Sequence, residues 1–248
     1  CVLTSGIGSR LGVYTNDINK ALLPINKKAA ITYIIEKFPK GTNFIIALGH
    51  KGDLVKQFLK TNHNEINFKF VYVDNFNKPG SGPGYSLAKC KKYLNKSFYF
   101  VSCDTLWDEK LLKESKNNWM AIPKQRIKQS KDYCNLVVKN KVIVKIVDKK
   151  KTKEKSFPFT GLAFIKDYQE FWSGFKLENQ KINEPQVSIG FNNLLKVKKI
   201  KIKTIEWTDI GTQKKYEEAF KKYEIFDFRK NSQLIYISKD KVTKFFLD

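Results

Sequence analysis

Hydrophobic and polar positions alternate between two periods over the first hundred residues. Short apolar runs bounded by turn residues, Phe44-Ile45-Ile46-Ala47-Leu48, Phe68-Lys69-Phe70-Val71-Tyr72-Val73 and Ser97-Phe98-Tyr99-Phe100-Val101-Ser102, predict strands. Between them, residues 30–38, 54–59 and 85–94 repeat their apolar positions at helical spacing. A strand, helix, strand, helix series implies a parallel sheet covered on both faces. Ligands of such sheets bind beyond the carboxyl ends of the strands. The opening segment Cys1-Val2-Leu3 adds one more strand. It starts in mid-strand without an initiator Met, so a few native residues are expected to precede it.

The second half is less regular. Residues 136–138 and 141–147 flank Asn140 as a hairpin would, and 161–165 and 197–205 are further strands, which makes the sheet mixed. A helix is predicted over 214–222, with Thr212 as its N-cap and no acid in its first turn. Residues 226–248 read as a hairpin, with strands 234–238 and 242–247 joined by Lys239-Asp240-Lys241. An isolated hairpin is marginal in water, so it must pack on the main domain, on a second copy of the chain, or on a following domain. The expected architecture is α/β: a Rossmann-like, mixed but mostly parallel sheet with helices on both faces over residues 1–222, and a C-terminal β-hairpin appendage over 223–248.

Composition narrows the function classes. A chain of 248 residues with 42% hydrophobic content can bury one large core. No apolar run approaches the ~20 residues of a membrane helix and no secretory leader opens the chain, so a soluble cytoplasmic protein without membrane contact is expected. The four cysteines, Cys1, Cys90, Cys103 and Cys134, lack metal-type spacing and predict reduced structural thiols. Two histidines, His50 and His63, are too few for a zinc site or for histidine acid–base chemistry. Chemistry based on a metal and fixed positive charge suits the chain better. The net charge of +23 would attract polyanions, but most lysines are scattered singly through a chain also rich in Asn, Ile and Phe. That pattern is a compositional bias, and no specific nucleic-acid partner is expected.

Candidate chemistry begins directly after the first strand. Leu3-Thr4-Ser5-Gly6-Ile7-Gly8-Ser9-Arg10-Leu11 gathers bare backbone N–H groups and a guanidinium, and Asn19-Lys20-Ala21-Leu22-Leu23-Pro24 adds a lysine, a combination suited to a polyphosphate. Position 11 is Leu, so a dinucleotide fingerprint is incomplete, and no Gly-Lys-Ser/Thr follows to make a Walker-type loop. Asp104, in Val101-Ser102-Cys103-Asp104-Thr105-Leu106, stands at a strand end. Asp209 stands in Trp207-Thr208-Asp209-Ile210-Gly211-Thr212, just before a helix. Each alone also suits an ordinary turn. Together they could hold a divalent cation against phosphate charge.

These segments resemble the signature of the sugar-phosphate nucleotidyltransferases, a Gly-x-Gly-x-Arg-Leu loop followed by Lys-x-Leu-Leu-Pro, then a strand-end Asp-Thr and a Trp-x-Asp-x-Gly-Thr segment. The resemblance covers residues 1 to about 222. It implies a nucleotide-diphospho-sugar transferase fold and Mg²⁺ held by Asp104 and Asp209. It implies catalytic charge from Arg10 and Lys20, and nucleotide binding by Leu3, Ser5, Gly6, Ile7, Gly8 and the Gly82-Pro83-Gly84 loop. Ile146-Val147-Asp148-Lys149 resembles the family's Ile-x-Glu-Lys, which implies that Lys149 meets the acceptor phosphate. Thr160-Gly161 would line the acceptor pocket. The Gly-Pro loop equally suits a plain turn, and Lys149 a solvated lysine in a basic run.

Asn19 where the family has Pro, Ser5 where it has Ala, and Gly12-Val13 after the loop distance the chain from the hexose-1-phosphate enzymes. The pattern looks closer to the cytidylyltransferase branch, which includes phosphocholine and capsule-modification enzymes. That branch implies CTP and a phosphorylated small-molecule acceptor as substrates. A uridylyl- or thymidylyltransferase of sugar phosphates, a basic nucleic-acid-binding module, and a nucleotide-binding scaffold domain acting through the hairpin stand as rivals.

Overall fold

The computed structural model describes residues 1–110, 115–127, 131–150, 152–175, 184–222, 233–238 and 241–246. Ten strands form the central sheet: β1 (Val2–Leu3), β2 (Phe44–Leu48), β3 (Phe68–Tyr72), β4 (Phe98–Ser102), β5 (Asn118–Pro123), β6 (Cys134–Lys139), β7 (Val142–Asp148), β8 (Ser156–Pro158), β9 (Leu162–Ile165) and β10 (Ile200–Ile205). Their order is β8-β6-β7-β10-β5-β9-β4-β1-β2-β3. The β3, β2, β1, β4 half is parallel throughout, and β5, β10 and β6 point the same way. Only β9, β7 and β8 reverse, so the sheet is mixed with one dominant direction, as expected.

Strand alternation divides the core between the two faces. Val2, Ile46 and Val101 point to one side, their neighbours Leu3, Ala47 and Phe100 to the other. Helices α1 (Ala30–Ile35), α2 (Gly52–Asn62) and α6 (Gln213–Lys222) cover the first face through Ile31, Ile34, Phe58, Leu59 and Tyr216. Helices α3 (Pro83–Cys90), α4 (Tyr168–Ser173) and α5 (Ser188–Leu195) cover the second through Leu87, Phe171, Phe191 and Leu194.

Several elements depart from the sequence reading, the short β8 among them. Strand β5 was not expected: all six of its residues are buried, so no polar alternation marks it, and Pro123 ends it as a break would. Helix α5 also went unread, because Gly190 interrupts its pattern. The glycine is a packing requirement, since a Cβ there would lie 2.4 Å from the ring of Phe171 on α4. The short α4 lacks enough turns to show a period.

The C-terminal hairpin forms from Gln233–Ser238 and Lys241–Phe246. Residues 223–232, the joining Lys239 and Asp240, and Leu247 and Asp248 lie outside the described residues. Of the three settings open to the hairpin, the structure shows the main domain. Tyr236 is 3% exposed, its ring lies 4.9 Å from that of Phe58, and its hydroxyl donates to the Leu22 carbonyl. The Ile237 N–H donates to the Lys27 carbonyl at 2.9 Å.

Candidate active site

A cleft of about 690 Å³ opens where β1 and β4 end. Strand β1 runs straight into the glycine loop. Gly8 adopts a left-handed φ of 78°, and a Cβ on it would press within 3.0 Å of Thr15. The next turn, Lys20–Leu22, is fixed by Asn19. Its fully buried amide donates to the Thr4 carbonyl at 2.7 Å and the His50 carbonyl at 2.6 Å, while its oxygen accepts from Ala21 N–H at 2.9 Å. The residue that departs from the family pattern thus ties the ends of β1 and β2 to the lysine-bearing turn.

Chain topology brings the two aspartates together. Residues Thr105–Trp107 pair antiparallel with Trp207–Asp209, and Ile210 N–H donates to the Asp104 carbonyl at 3.1 Å. At Gly211, a Cβ would lie 2.9 Å from Asp104 Oδ2, 3.0 Å from Asp209 Oδ1 and 3.6 Å from Arg10 Nη2. The facing carboxylate oxygens are therefore at most about 6 Å apart, with a guanidinium beside them.

Each aspartate carries a lysine. Lys20 Nζ lies 2.9 Å from Asp104 Oδ2, and Lys215 Nζ lies 2.6 Å from Asp209 Oδ2. Burial alone would raise the Asp104 carboxyl, but Lys20 and Arg10 outweigh it and hold the group below the usual carboxylate range. Burial would likewise lower Lys20, and Asp104 reverses this, so its pKa is raised. Both stay charged at neutral pH. Asp209 accepts further from the Tyr133 hydroxyl at 2.9 Å and from Gly211 N–H at 2.8 Å.

Among the described residues no group of three or more His, Cys, Asp or Glu converges. Two carboxylates without nitrogen or sulfur donors suit a hard cation that keeps waters and takes its other ligands from phosphate oxygens, and the side-chain-free Gly211 leaves the space between them open.

The remaining expected residues fall along the same cleft. Leu3, Ser5, Gly6, Ile7, Gly8, Gly82, Lys149, Thr160 and Gly161 all line it. Ser5 and Ser86 share a 2.6 Å hydrogen bond. Lys149 pairs with Glu184, and Asp148 accepts from Ser188. Thr160 directs its hydroxyl to the Ala121 carbonyl at 3.3 Å. At Gly161, which has a left-handed φ of 88°, a Cβ would lie 2.8 Å from the Ser102 and Thr105 hydroxyls. Gly84 lies outside the lining, in the first turn of α3, where its N–H bonds the Pro185 carbonyl at 2.8 Å.

No protein-family model matches the chain. The chain is 28% identical over 114 residues to a D-glycero-alpha-D-manno-heptose 1-phosphate guanylyltransferase of Campylobacter jejuni, a match that spans 45% of this chain and half the length of that protein. Among solved structures, a UDP-glucose pyrophosphorylase complexed with UDP-glucose superposes with a TM-score of 0.71 at 18% identity, over 90% of this chain and 97% of that one. The inositol-1-phosphate CTP transferase of T. maritima gives 0.68 at 18% identity, over 91% and 96%. The CTP:phosphocholine cytidylyltransferase of Streptococcus pneumoniae gives 0.65 at 19% identity, over 88% and 95%.

The chain has the nucleotide-diphospho-sugar transferase fold. In this fold the glycine loop, Lys20, Asp104 and Asp209 all gather at the carboxyl end of the parallel strands, where open α/β sheets take ligands.

Tyr133 and Lys215 were missed from sequence. Nothing local marks Tyr133, whose bond to Asp209 spans 76 residues. Lys215 did carry a signal, because a lysine in the first turn of α6 opposes the helix dipole and calls for a nearby anion.

Proposed function

We propose that the protein is an Mg²⁺-dependent nucleotidyltransferase. In the proposed reaction an oxygen of an acceptor phosphate attacks the α-phosphorus of a nucleoside triphosphate, the new phosphorus–oxygen bond forms as the bond to the leaving pyrophosphate breaks, and pyrophosphate departs. The observation that carries this reading is the convergence of Asp104, Asp209 and Arg10 on the space above Gly211.

The residues present fit a divalent ion between Asp104 and Asp209. Such an ion supplies charge compensation for the polyphosphate. The chain's own contribution is alignment and fixed charge. Lys20, raised in pKa by Asp104, and Arg10 offset charge on the departing pyrophosphate. The loop from Ser5 to Gly8, exposed at Gly6 and Ile7, offers N–H groups to the nucleotide. At Gly6 a Cβ would meet nothing within 4 Å and the backbone is not left-handed, so nothing within the protein requires glycine there. Close approach of a ligand does. Lys149, which lines the same cleft, meets the acceptor phosphate. A phosphate monoester is a competent nucleophile at neutral pH, so no covalent enzyme intermediate is needed.

CTP as the nucleotide, and L-glutamine phosphate as the acceptor for phosphoramidate modification of a capsular polysaccharide in the cytoplasm, complete the proposed reading; Ser5, Gly12-Val13 and Asn19, which depart from the hexose-1-phosphate pattern toward the cytidylyltransferase branch, support it. The likeness to a heptose 1-phosphate guanylyltransferase favours a second reading, transfer of another nucleotide to a sugar 1-phosphate.

Asp104→Asn and Asp209→Asn test the assignment by pyrophosphate release with Mg²⁺. Each is expected to lose at least about 100-fold in turnover while remaining folded, with a thermal midpoint lowered by the lysine left unpaired. Near-normal turnover in either variant overturns the reading.

A further inference from the structure

The second lysine of the carboxylate pair has no part in the reaction outlined above, yet it is the more elaborately held. Lys215 donates to Asp209 Oδ2 at 2.6 Å and to the Tyr133 hydroxyl, with its ammonium 4.5 Å from the centre of the Tyr133 ring. It occupies the first turn of α6, where the helix dipole disfavours a cation. Its side chain is 29% exposed and that of Asp209 only 15%, so the pair is largely withdrawn from water. On the opposite wall Lys20 sits on Asp104 Oδ2, the oxygen that faces Asp209, whereas Lys215 holds the outer oxygen of Asp209 and leaves Oδ1 toward the cleft. Each carboxylate is thus neutralised by an ammonium group.

We propose that Lys215 is a positioning residue that holds Asp209 by its outer oxygen Oδ2 and neutralises it there, so that the site discriminates against a free divalent ion and accepts one that comes with a polyphosphate. The inference rests on the reading of Asp209 as a metal-holding carboxylate. Two ammonium groups on the two carboxylates raise the cost of admitting a bare dication, which must displace Lys20 from Asp104 Oδ2 and meets the charge of Lys215 behind Asp209. A metal–triphosphate complex carries net negative charge and offers phosphate oxygens to the lysines, so the same repulsion is offset. Tyr133 keeps Lys215 from swinging away, because its hydroxyl bridges the lysine and Asp209.

Binding of Mn²⁺, read by electron paramagnetic resonance and calorimetry on the full chain without nucleotide, tests this apart from turnover. Wild type is expected to bind free Mn²⁺ weakly. Lys215→Met should bind it about tenfold more tightly, the scale set by removing one largely buried ion pair. Lys215→Arg, which keeps the charge, should behave as wild type. Equal free-Mn²⁺ affinity in wild type and Lys215→Met overturns the inference, as does tightening in Lys215→Arg equal to that in Lys215→Met. Adding Asp209→Asn to Lys215→Met should abolish the gain. If tight binding survives that change, the ion lies elsewhere, and the metal assignment of Asp209 fails together with the inference.

Discussion

Gly211→Ala separates the chemistry of the cleft from its folding. The glycine backbone is not left-handed, so alanine meets no conformational penalty there. Its Cβ would approach Asp104 Oδ2 to 2.9 Å and Asp209 Oδ1 to 3.0 Å, and both contacts must open to about 3.4 Å. Each carboxylate therefore moves by roughly half an ångström from its converged position. A misplacement of ~1 Å at a reacting centre can cost ~100-fold, so a loss of about 10- to 100-fold in kcat is expected. Stability should hardly change. Replacing glycine at a compatible backbone contributes ~0.4–1 kcal/mol through the unfolded chain, which offsets the cost of shifting two side-chain ends. For a domain of this size the thermal midpoint should stay within ~4 °C of wild type. Pyrophosphate release and thermal unfolding on one preparation read both quantities. Full activity in Gly211→Ala would refute the claim that the two carboxylates work as a converged pair, and a large fall in the midpoint would show the glycine to be structural.

Gly6→Ala should fold as wild type, because its Cβ meets open space, yet raise KM for the nucleotide about tenfold if a ligand passes over this backbone; an unchanged KM speaks against contact there. Tyr236→Ala removes a buried ring and its hydrogen bond to Leu22, and should cost about 3–4 kcal/mol in urea unfolding, whereas a hairpin with no share in domain stability would show no loss. Burial, aided by Lys28 and Lys241 and opposed by Glu65 and Glu36, lowers the pKa of His63 below its usual 6.5, so the folded state binds fewer protons than the unfolded state in the window below that value. Stability should be greatest above pH 6.5 and fall on acidification through that window, more steeply in wild type than in His63→Gln; equal slopes in the two proteins would contradict this.

What the sequence disclosed follows the locality of the physics. Strand β2 could be read to its end residues because Phe44–Leu48 is a dense apolar run between Asn43 and Gly49. The N-cap at Thr212 was legible too, and its hydroxyl accepts from Lys215 N–H at 3.4 Å. Strand β5 and helix α5 were hidden because tertiary packing decides them. A strand buried on both faces has no polar alternation, and Gly190 is a helix breaker in sequence but a contact with Phe171 in space. At the cleft, Arg10, Lys20, Asp104 and Asp209 were legible because motif residues sit on loops at strand ends, where geometry is set locally. Their partners were not. Asn19 read as a departure from a pattern, and only the fold shows its amide joining Thr4 and His50. Lys215 is six residues from Asp209 across a turn, a spacing with no regular meaning until β10 and α6 are in place.

Pyrophosphate release with Mg²⁺ and each of the four ribonucleoside triphosphates, against L-glutamine phosphate, phosphocholine and hexose 1-phosphates, is the decisive measurement of nucleotidyl transfer. Release is expected with CTP and one phosphorylated acceptor, together with a product that joins CMP to that acceptor. Folded protein that releases no pyrophosphate with any pair would contradict it and make Asp104 and Asp209 structural partners of Lys20 and Lys215.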